Sequence, residues 1–108
     1  MYDNKQKEDT KNGMKYDIGK PRYSLIPPAM IDAVARVLTY GAEKYEANNW
    51  QKLDNAEERY TDALLRHLYR HLDGEILDPE SGLPHIDMVA TNAGFIIHLR
   101  KVKNGSLQ

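Results

Sequence analysis

Residues 84–102 read PHIDMVATNAGFIIHLRKV, and the apolar character of this stretch is the strongest indication of the fold. Apolar residues lie on most sides of a helix with 3.6 residues per turn, from Ile86 near its start to Leu99 near its end. A helix that is apolar on most of its circumference is buried from several sides. In a chain of 108 residues this pattern predicts either a central helix or a helix at a subunit interface.

Two amphipathic segments precede this helix. The first begins at Pro27 and Pro28, because proline is tolerated in a first helical turn, and it fades near residues 47–49. The second begins at residues 54–56, carries a leucine stripe and ends at Gly74. No stretch of useful length alternates as a strand does. The sequence therefore predicts an all-α protein, a small bundle of three main helices that is completed by oligomerisation.

The chain has room for one folded domain, which we place at residues 15–103. Residues 1–14 are charged and rich in amides, and they predict a flexible tail, as do residues 104–108 at the other end. The segment KYDIGKPRYSLIPP at residues 15–28 contains one glycine and three prolines. This composition predicts an extended N-terminal arm rather than a helix.

Composition excludes several classes of protein. The formal net charge is −1, whereas general nucleic-acid binders carry a strong basic excess, so no nucleic-acid polymer is expected as a partner. The chain has no cysteine, which rules out disulfides and thiolate metal sites. Neither a run of about 20 apolar residues nor a signal-peptide core is present, so we expect no membrane association and a cytoplasmic location.

Acidic residues recur in two pairs with the same internal spacing. Glu43 and Glu46 lie three apart in the first helix, where they share one face. Glu75 and Asp78 repeat this spacing after the second helix, between a glycine and a proline that mark a helix end. Hard divalent cations such as Mg²⁺ prefer oxygen ligands of this kind. The pairs are therefore candidate metal ligands, and the alternative interpretation is a solvated acidic edge.

Histidines supply a second candidate centre. His67 falls among the leucines of the second helix, where it is either a core residue with satisfied hydrogen bonds or a ligand or phosphate contact. In the third helix His85 and Asn92 share a face, whereas Asp87 points nearly opposite. Asp87 is therefore either a metal ligand that does not share an ion with His85, or a negative charge that stabilises the N-terminus of the helix.

Basic and aromatic side chains are interleaved near the helix ends. Lysine and arginine bind phosphate groups well, and aromatic rings stack on nucleotide bases. Each cation alone is most simply a surface charge, but together they indicate a nucleotide site. The candidate substrate-binding residues at this point are Lys20, Arg22, Lys44, Trp50 and Arg66, together with Asn92, a polar residue on an apolar helix.

Three longer segments carry a resemblance to a known family. GAEKYEANNW at residues 41–50, ALLRHL at 63–68 and DPESGLPH at 78–85 resemble a phage-associated family of dATP/dGTP diphosphohydrolases, over roughly residues 15–100. The two acidic pairs, 28 residues apart, are also similar to the metal signature of MazG-like pyrophosphohydrolases. The resemblance implies a MazG-like helical fold and hydrolysis of purine deoxynucleoside triphosphates to monophosphate and pyrophosphate.

The resemblance also implies roles for individual residues. His67 and His85 would be catalytic, either transferring protons or orienting other groups. Mg²⁺ or Mn²⁺ would be the cofactor, and Asn49 would be a further substrate-binding residue. The acidic spacing and the resemblance together give Glu43, Glu46, Glu75 and Asp78 as candidate metal ligands, and Asp87 is a candidate from its position in the third helix.

Alternative functions remain consistent with the sequence. The expected enzyme would bind a purine nucleotide as a homo-oligomer, in the host cytoplasm if it is phage-encoded. A second hypothesis is a non-catalytic phage protein that binds and sequesters a nucleotide or a nucleotide-derived signalling molecule. A third is a structural subunit that uses the apolar third helix for assembly.

Overall fold

The computed structural model describes residues 18–105, in which every regular element is a helix. Three α-helices, α1 (Pro28–Lys44), α2 (Ala56–Leu72) and α3 (His85–Lys103), are accompanied by short 3-10 helices at Tyr23–Leu25 and Asn49–Lys52. The predicted all-α class with three main helices is confirmed. The predicted tail at residues 1–14 lies outside the described residues, and so do residues 15–17 and 106–108.

Proline and asparagine mark where the helices begin. Pro27 and Pro84 precede α1 and α3 in the same extended conformation, with φ of −63° and −61° and ψ of 139° and 137°. Asn55 precedes α2 with φ of 53°, in the left-handed region that asparagine tolerates. The sequence located these three starts within two residues, because start signals are local.

The end of α1 and the arm differ from the prediction. Helix α1 ends at Lys44, earlier than the predicted residues 47–49, because Tyr45 leaves helical geometry with φ of −118° and ψ of −102°. Asn48 is left-handed, with φ of 64°, and starts the turn into the 3-10 helix at Asn49–Lys52. The predicted arm has no α-helix in its described part before Pro28, but it includes the 3-10 helix at Tyr23–Leu25.

Helix α3 is the centre of the molecule. Helices α1 and α2 both pack against it. All of the buried residues found between positions 18 and 105 lie on α3: His85, Met88, Thr91 and Asn92. Of the two positions predicted for the third helix, a central one or one at a subunit interface, the structure shows the central one. Three of these four residues are polar, so the middle of the fold is a polar layer and not a purely apolar core.

The apolar core is thin for a chain of this length. Met88 is the one buried hydrophobic residue in the described part. The radius of gyration is 17.8 Å, whereas a compact domain of about 100 residues has about 13 Å. Large apolar side chains remain exposed on α1, among them Met30 and Ile31 at 59% each. No helix of residues 18–105 combines the length and apolar character needed to cross a membrane.

A candidate metal and phosphate site between α2 and α3

The loop between α2 and α3 folds back on itself and fixes the start of α3. The backbone N–H of Asp78 donates to Leu83 O at 2.8 Å, and that of His85 donates to Ile76 O at 2.8 Å. Gly82, with φ of 76°, turns the chain between them and donates to Asp78 O at 2.7 Å. The segment DPESGLPH therefore brings the carboxylate of Asp78 beside the first turn of α3.

Asp78 is oriented by its neighbour in the loop. Ser81 donates its backbone N–H and its hydroxyl to Asp78 Oδ2, at 3.0 and 2.8 Å. Burial alone would raise the pKa of Asp78, but the two hydrogen bonds and the nearby histidines lower it below the usual value. The carboxylate is thus ionised at neutral pH, and Oδ1 remains as a second donor atom.

Two histidines meet this carboxylate from opposite helices. His67 of α2 and His85 of α3 face each other through their Nδ1 atoms, which are 2.8 Å apart. Ligand atoms of His67, Asp78 and His85 all lie within 4.8 Å of one another. Burial, followed by the nearby His85, lowers the pKa of His67. The three side chains therefore form one compact cluster, which we call the His–Asp–His cluster.

Glu75 contacts His85 on the side of the ring that faces away from His67. Its Oε2 accepts a hydrogen bond from Nε2 of His85 at 2.7 Å and lies 3.6 Å from Nη1 of Arg70. The bond from His85 is the main cause that lowers the pKa of Glu75, with the charge of Arg70 assisting. An ionised carboxylate only accepts hydrogen bonds, so the proton of this contact belongs to Nε2 of His85. The Nδ1 atom of His85 is therefore the one that faces the cluster.

An open cleft of about 1240 Å³ lies in front of the cluster. Its floor is the α3 stripe of His85, Met88, Asn92 and Phe95, spaced at three and four residues. One wall is α2, and the other is the end of α1 with the residues that follow it. Small-molecule sites are usually clefts of about 300–1,000 Å³ with a few polar groups, so this open cleft is slightly larger than a typical one.

Arginines line the α2 wall. Arg59, Arg66 and Arg70 all face the cleft, spaced seven and four residues apart, so they follow one stripe of the helix together with His67. A guanidinium group binds phosphate oxygens at two points. The sequence prediction included Arg66 but missed Arg59 and Arg70. Their helical spacing from Arg66 was a signal that could have identified them.

Lys44 reaches the same cleft from α1. Its Nζ pairs with Glu80 of the α2–α3 loop, and the hydroxyl of Tyr40 donates to the same carboxylate at 2.9 Å. Both bonds lower the pKa of Glu80, and the bond to Glu80 is the main cause that raises the pKa of Lys44. Sequence reasoning missed Glu80, because no local pattern links it to a lysine 36 residues earlier. Glu80 thus ties α1 to the loop that carries Asp78.

Trp50 contributes to the cleft as a packed side chain. Its ring stacks on Phe95 with centroids 4.5 Å apart, and it meets the edge of His98 at 5.3 Å. Tyr60 donates its hydroxyl to the backbone oxygen of Trp50 at 2.8 Å. One face of the indole is therefore occupied by Phe95, which restricts its predicted role as a base-stacking platform to the remaining surface of the ring.

The other predicted substrate contacts divide into two groups. Asn49 and Asn92 line the cleft. Asn92 is only 7% exposed, and its Nδ2 donates to Met88 O of its own helix at 2.8 Å. Lys20 and Arg22 are described by the structure but are not among the residues that line the cleft. Their predicted roles in binding are not supported by this placement.

The acidic metal site expected from the two spaced pairs is not assembled. Within residues 18–105, the His–Asp–His cluster is the one grouping of three or more potential ligands, and of the five predicted acidic ligands it includes Asp78 alone. Glu46 is exposed and pairs with Lys52 at 2.8 Å. Glu43 is exposed on α1, and Asp87 does not line the cleft, as its helical position opposite His85 predicts. Glu46 and Asp78 both line the cleft, but within the described residues the four carboxylates of the two pairs do not converge on one ion.

The donor set of the cluster fits a divalent metal ion. Two imidazole nitrogens and one carboxylate converge, and fully buried His85 is oriented by a carboxylate on its other nitrogen. Metal-binding histidines in proteins almost always carry such a second hydrogen bond. Glu75, predicted as a direct ligand, therefore lies in the position of a carboxylate that orients a ligand.

The fold and the cleft define a class: a small all-helical domain with a histidine–carboxylate cluster at the base of an arginine-lined cleft. Comparison with known proteins agrees with the resemblance seen in the sequence. Residues 10–106 match the family described as dATP/dGTP diphosphohydrolase, N-terminal. The chain therefore belongs to this family of N-terminal domains.

A curated relative gives the same assignment. The chain is 41% identical over 87 residues to the dATP/dGTP diphosphohydrolase of Salmonella phage PMBT28. The match covers 81% of this chain but 29% of the relative, so the chain corresponds to under a third of that protein. No solved structure gives a significant match.

Proposed function

We propose that the chain is the nucleotide-binding domain of a metal-dependent pyrophosphohydrolase, which converts purine deoxynucleoside triphosphates to monophosphate and pyrophosphate. The observation that carries the proposal is the His–Asp–His cluster at the base of a cleft lined by three arginines. The name of the phage relative supports dATP and dGTP as the substrates. The relative's origin supports a role in the cytoplasm of an infected host.

The cleft offers distinct surfaces for the parts of a nucleotide. Arg66 and Arg70 lie one helical turn apart, about 6 Å along α2, on either side of His67. This spacing suits neighbouring phosphate groups, which we place along the α2 wall. The base then lies towards the end of α1, where Tyr45 is 65% exposed and lines the cleft.

The proposed reaction is attack of water on the α-phosphorus. The new bond joins the water oxygen to that phosphorus, the bond to the bridging oxygen breaks, and pyrophosphate leaves. The proton of the water passes to solvent in the open cleft, and the arginines neutralise charge that develops on the phosphates. A divalent ion, Mg²⁺ or Mn²⁺, would supply charge neutralisation and activation of the water.

A homo-oligomer is part of the same proposal. One buried apolar residue in the described part is too small a core to stabilise a domain of this length alone. Met30 and Ile31 form an exposed apolar side of α1, and a second copy of the chain is the partner we propose for it. Burial of this side would extend the core across the subunit boundary.

The direct test is turnover by the purified chain. We expect release of pyrophosphate and monophosphate from dGTP or dATP with Mg²⁺ or Mn²⁺, and much slower release from dCTP and dTTP. Arg66→Ala should weaken transition-state stabilisation and lower kcat/KM at least tenfold. Arg36→Ala is the matched control, because Arg36 pairs with Asp32 on exposed α1 and does not line the cleft. Release of orthophosphate, or equal effects of both variants, would contradict the proposal.

A second function is favoured by the length of the relative. Because the chain matches 29% of that protein, the bond-breaking groups could lie outside the matched region. The chain would then bind a purine nucleotide reversibly without cleaving it. Calorimetric binding with full recovery of intact nucleotide, and no turnover with either metal, would identify this function.

A further inference from the structure

We infer that the His–Asp–His cluster is a mononuclear site for a first-row transition-metal ion, bound by Nδ1 of His67, Nδ1 of His85 and the carboxylate of Asp78. In this assignment Glu75 is a positioning residue and does not touch the ion. The inference concerns the same site as the proposed function. Its test uses metal ions without nucleotide, so it can fail or succeed independently of hydrolysis.

The distance between the two imidazoles supports shared coordination. The Nδ1 atoms face each other at 2.8 Å, so a single proton lies between them and at least one lone pair is directed at the other ring. Metal–nitrogen bonds of about 2.1 Å at a right angle would place two nitrogens about 3.0 Å apart. An ion could therefore replace the shared proton with only a small movement of the side chains.

The carboxylate completes one side of the site. Asp78 lies within 4.8 Å of both histidine ligand atoms, and Ser81 occupies its Oδ2 atom. This leaves Oδ1 as the oxygen available to an ion. The three donors come from α2, the loop and α3, so all of them depend on the tertiary fold. The cleft in front of the cluster leaves open positions for water or a phosphate oxygen.

The orientation of His85 does not depend on a bound ion. The ring is fully buried, and its Nε2–H donates to Glu75 at 2.7 Å, which keeps Nδ1 directed at His67. Arg70 lies beside Glu75, with Nη1 3.6 Å from Oε2 of the carboxylate. A negative group on the far nitrogen makes the imidazole a stronger donor towards a metal. Glu75 should therefore adjust affinity without being a ligand.

The donor set distinguishes this site from a magnesium site. Mg²⁺ prefers oxygen ligands and retains several waters, and such sites are built from one or two carboxylates. Imidazole nitrogens suit Fe²⁺, Ni²⁺, Cu²⁺ and Zn²⁺, and the affinity of a given site for divalent first-row ions rises from Mn²⁺ through Co²⁺ to Cu²⁺. Mg²⁺ bound to a triphosphate would be a separate ion that arrives with the nucleotide.

Titration of the untagged, chelator-treated full chain with Co²⁺ tests the site. We expect one Co²⁺ per chain, with visible absorption bands that report nitrogen ligation, displacement by Zn²⁺ and no displacement by a large excess of Mg²⁺. His67→Gln and Asp78→Asn should abolish these bands while helical circular dichroism is retained. Asn at position 78 can still accept the Ser81 hydrogen bonds, so this variant should fold.

Two further variants separate the roles of individual residues. Glu75→Gln should keep the bands but weaken Co²⁺ binding about tenfold or more, as loss of an orienting partner does in other metal sites. His71→Gln is the matched control, one turn from His67 on α2 and outside the cluster, and it should bind Co²⁺ as the unaltered chain does. Absence of binding, displacement by Mg²⁺, or equal loss in His71→Gln would overturn the inference. Nucleotide turnover plays no part in this result.

Discussion

Two histidines in the same fold have opposite local environments. His85 is fully buried, yet both of its ring nitrogens have partners, in Glu75 and His67. His71 has a buried Nδ1 atom with no hydrogen-bond partner in the described part of the chain. A buried polar atom without a partner costs about 1–3 kcal/mol, whereas a paired one stabilises modestly. Histidine therefore lowers the stability of the fold at position 71 and raises it at position 85.

Replacement of each histidine by leucine should reveal this difference. His71→Leu removes the unpaired nitrogen and should leave the free energy of unfolding unchanged or raise it by up to about 1 kcal/mol. His85→Leu removes the hydrogen bonds that His85 makes to Oε2 of Glu75 and to Nδ1 of His67. This substitution should lower the free energy of unfolding by about 2 kcal/mol. Urea unfolding measures both. Equal destabilisation by the two substitutions would contradict the contrast.

Glu57 and Arg100 form an ion pair that joins α2 to α3. The carboxylate Oε2 of Glu57 lies 3.0 Å from Nη2 of Arg100. The hydrogen bond from Arg100 lowers the pKa of Glu57 below its ordinary value of 4.5. Because the folded pKa is lower than the unfolded one, this pair stabilises the fold above about pH 4.5 and loses its effect as pH falls through the folded pKa.

Glu57→Gln should therefore lower the melting temperature at pH 7 by a small amount. As the pH falls below the folded pKa of Glu57 and its carboxyl group becomes protonated, the melting temperatures of the two proteins should converge. High salt should also reduce the difference at pH 7, since the pair is partly exposed. A difference that does not shrink as the pH falls would show that packing of the side chain, and not its charge, is responsible.

Gly74 and Gly94 have different roles, one at the end of α2 and the other within α3. Gly74 follows α2 with φ of 97°, and its backbone N–H donates to His71 O at 3.0 Å. This left-handed conformation ends the helix, which lets the loop turn towards the cluster. Gly94 lies within α3, and a Cβ added there would meet no atom within 4 Å outside the local backbone. It has no evident conformational role there.

Alanine at these two positions should change stability in opposite directions. Gly74→Ala forces a side chain into the left-handed region and should lower the free energy of unfolding by about 1–2 kcal/mol. Gly94→Ala should raise it by about 0.5–1 kcal/mol, because it restricts the unfolded chain and favours helix. Thermal and denaturant unfolding measure both. Destabilisation by Gly94→Ala would indicate that α3 packs closely at this point in an assembly.

Across the molecule as a whole, the helices meet in a polar layer and leave apolar side chains outside. The cluster, Thr91 and Asn92 occupy the middle of the fold, where a larger domain would place aliphatic residues. Hydrogen bonds in this layer specify geometry but add little net stability. The exposed apolar side of α1 is then available to supply what the core lacks.

If the chain associates through α1, its melting temperature should rise with protein concentration. Light scattering should give a mass of at least two chains, and Ile31→Asp should reduce it to one while lowering the melting temperature. Thr39→Asp is the control: it adds the same charge at an exposed position about 80° around α1 from Ile31, and it should not change the mass. A monomer at high concentration, with a melting temperature independent of concentration, would contradict self-association.

The helices follow from local signals in the sequence. Pro27, Pro84 and the leucine spacing of α2 act within a few residues, so the three starts could be predicted, and the central position of α3 is one of the two predicted alternatives. The sequence also identified His67, His85 and Asp78 as candidate functional residues, through their segments rather than their contacts. The family followed from the same segments.

How those residues combine depends on the tertiary structure. The acidic pairs share a spacing but do not form one ligand group in the described part of the chain, whereas His67, Asp78 and His85 share no spacing and meet within 4.8 Å. Glu75 is an orienting partner of His85, because the loop places it behind the ring and not beside the cleft. Helical periodicity fixes which residues share one face of one helix. Ligand geometry depends on how different helices and loops pack, and spacing along the chain does not encode that.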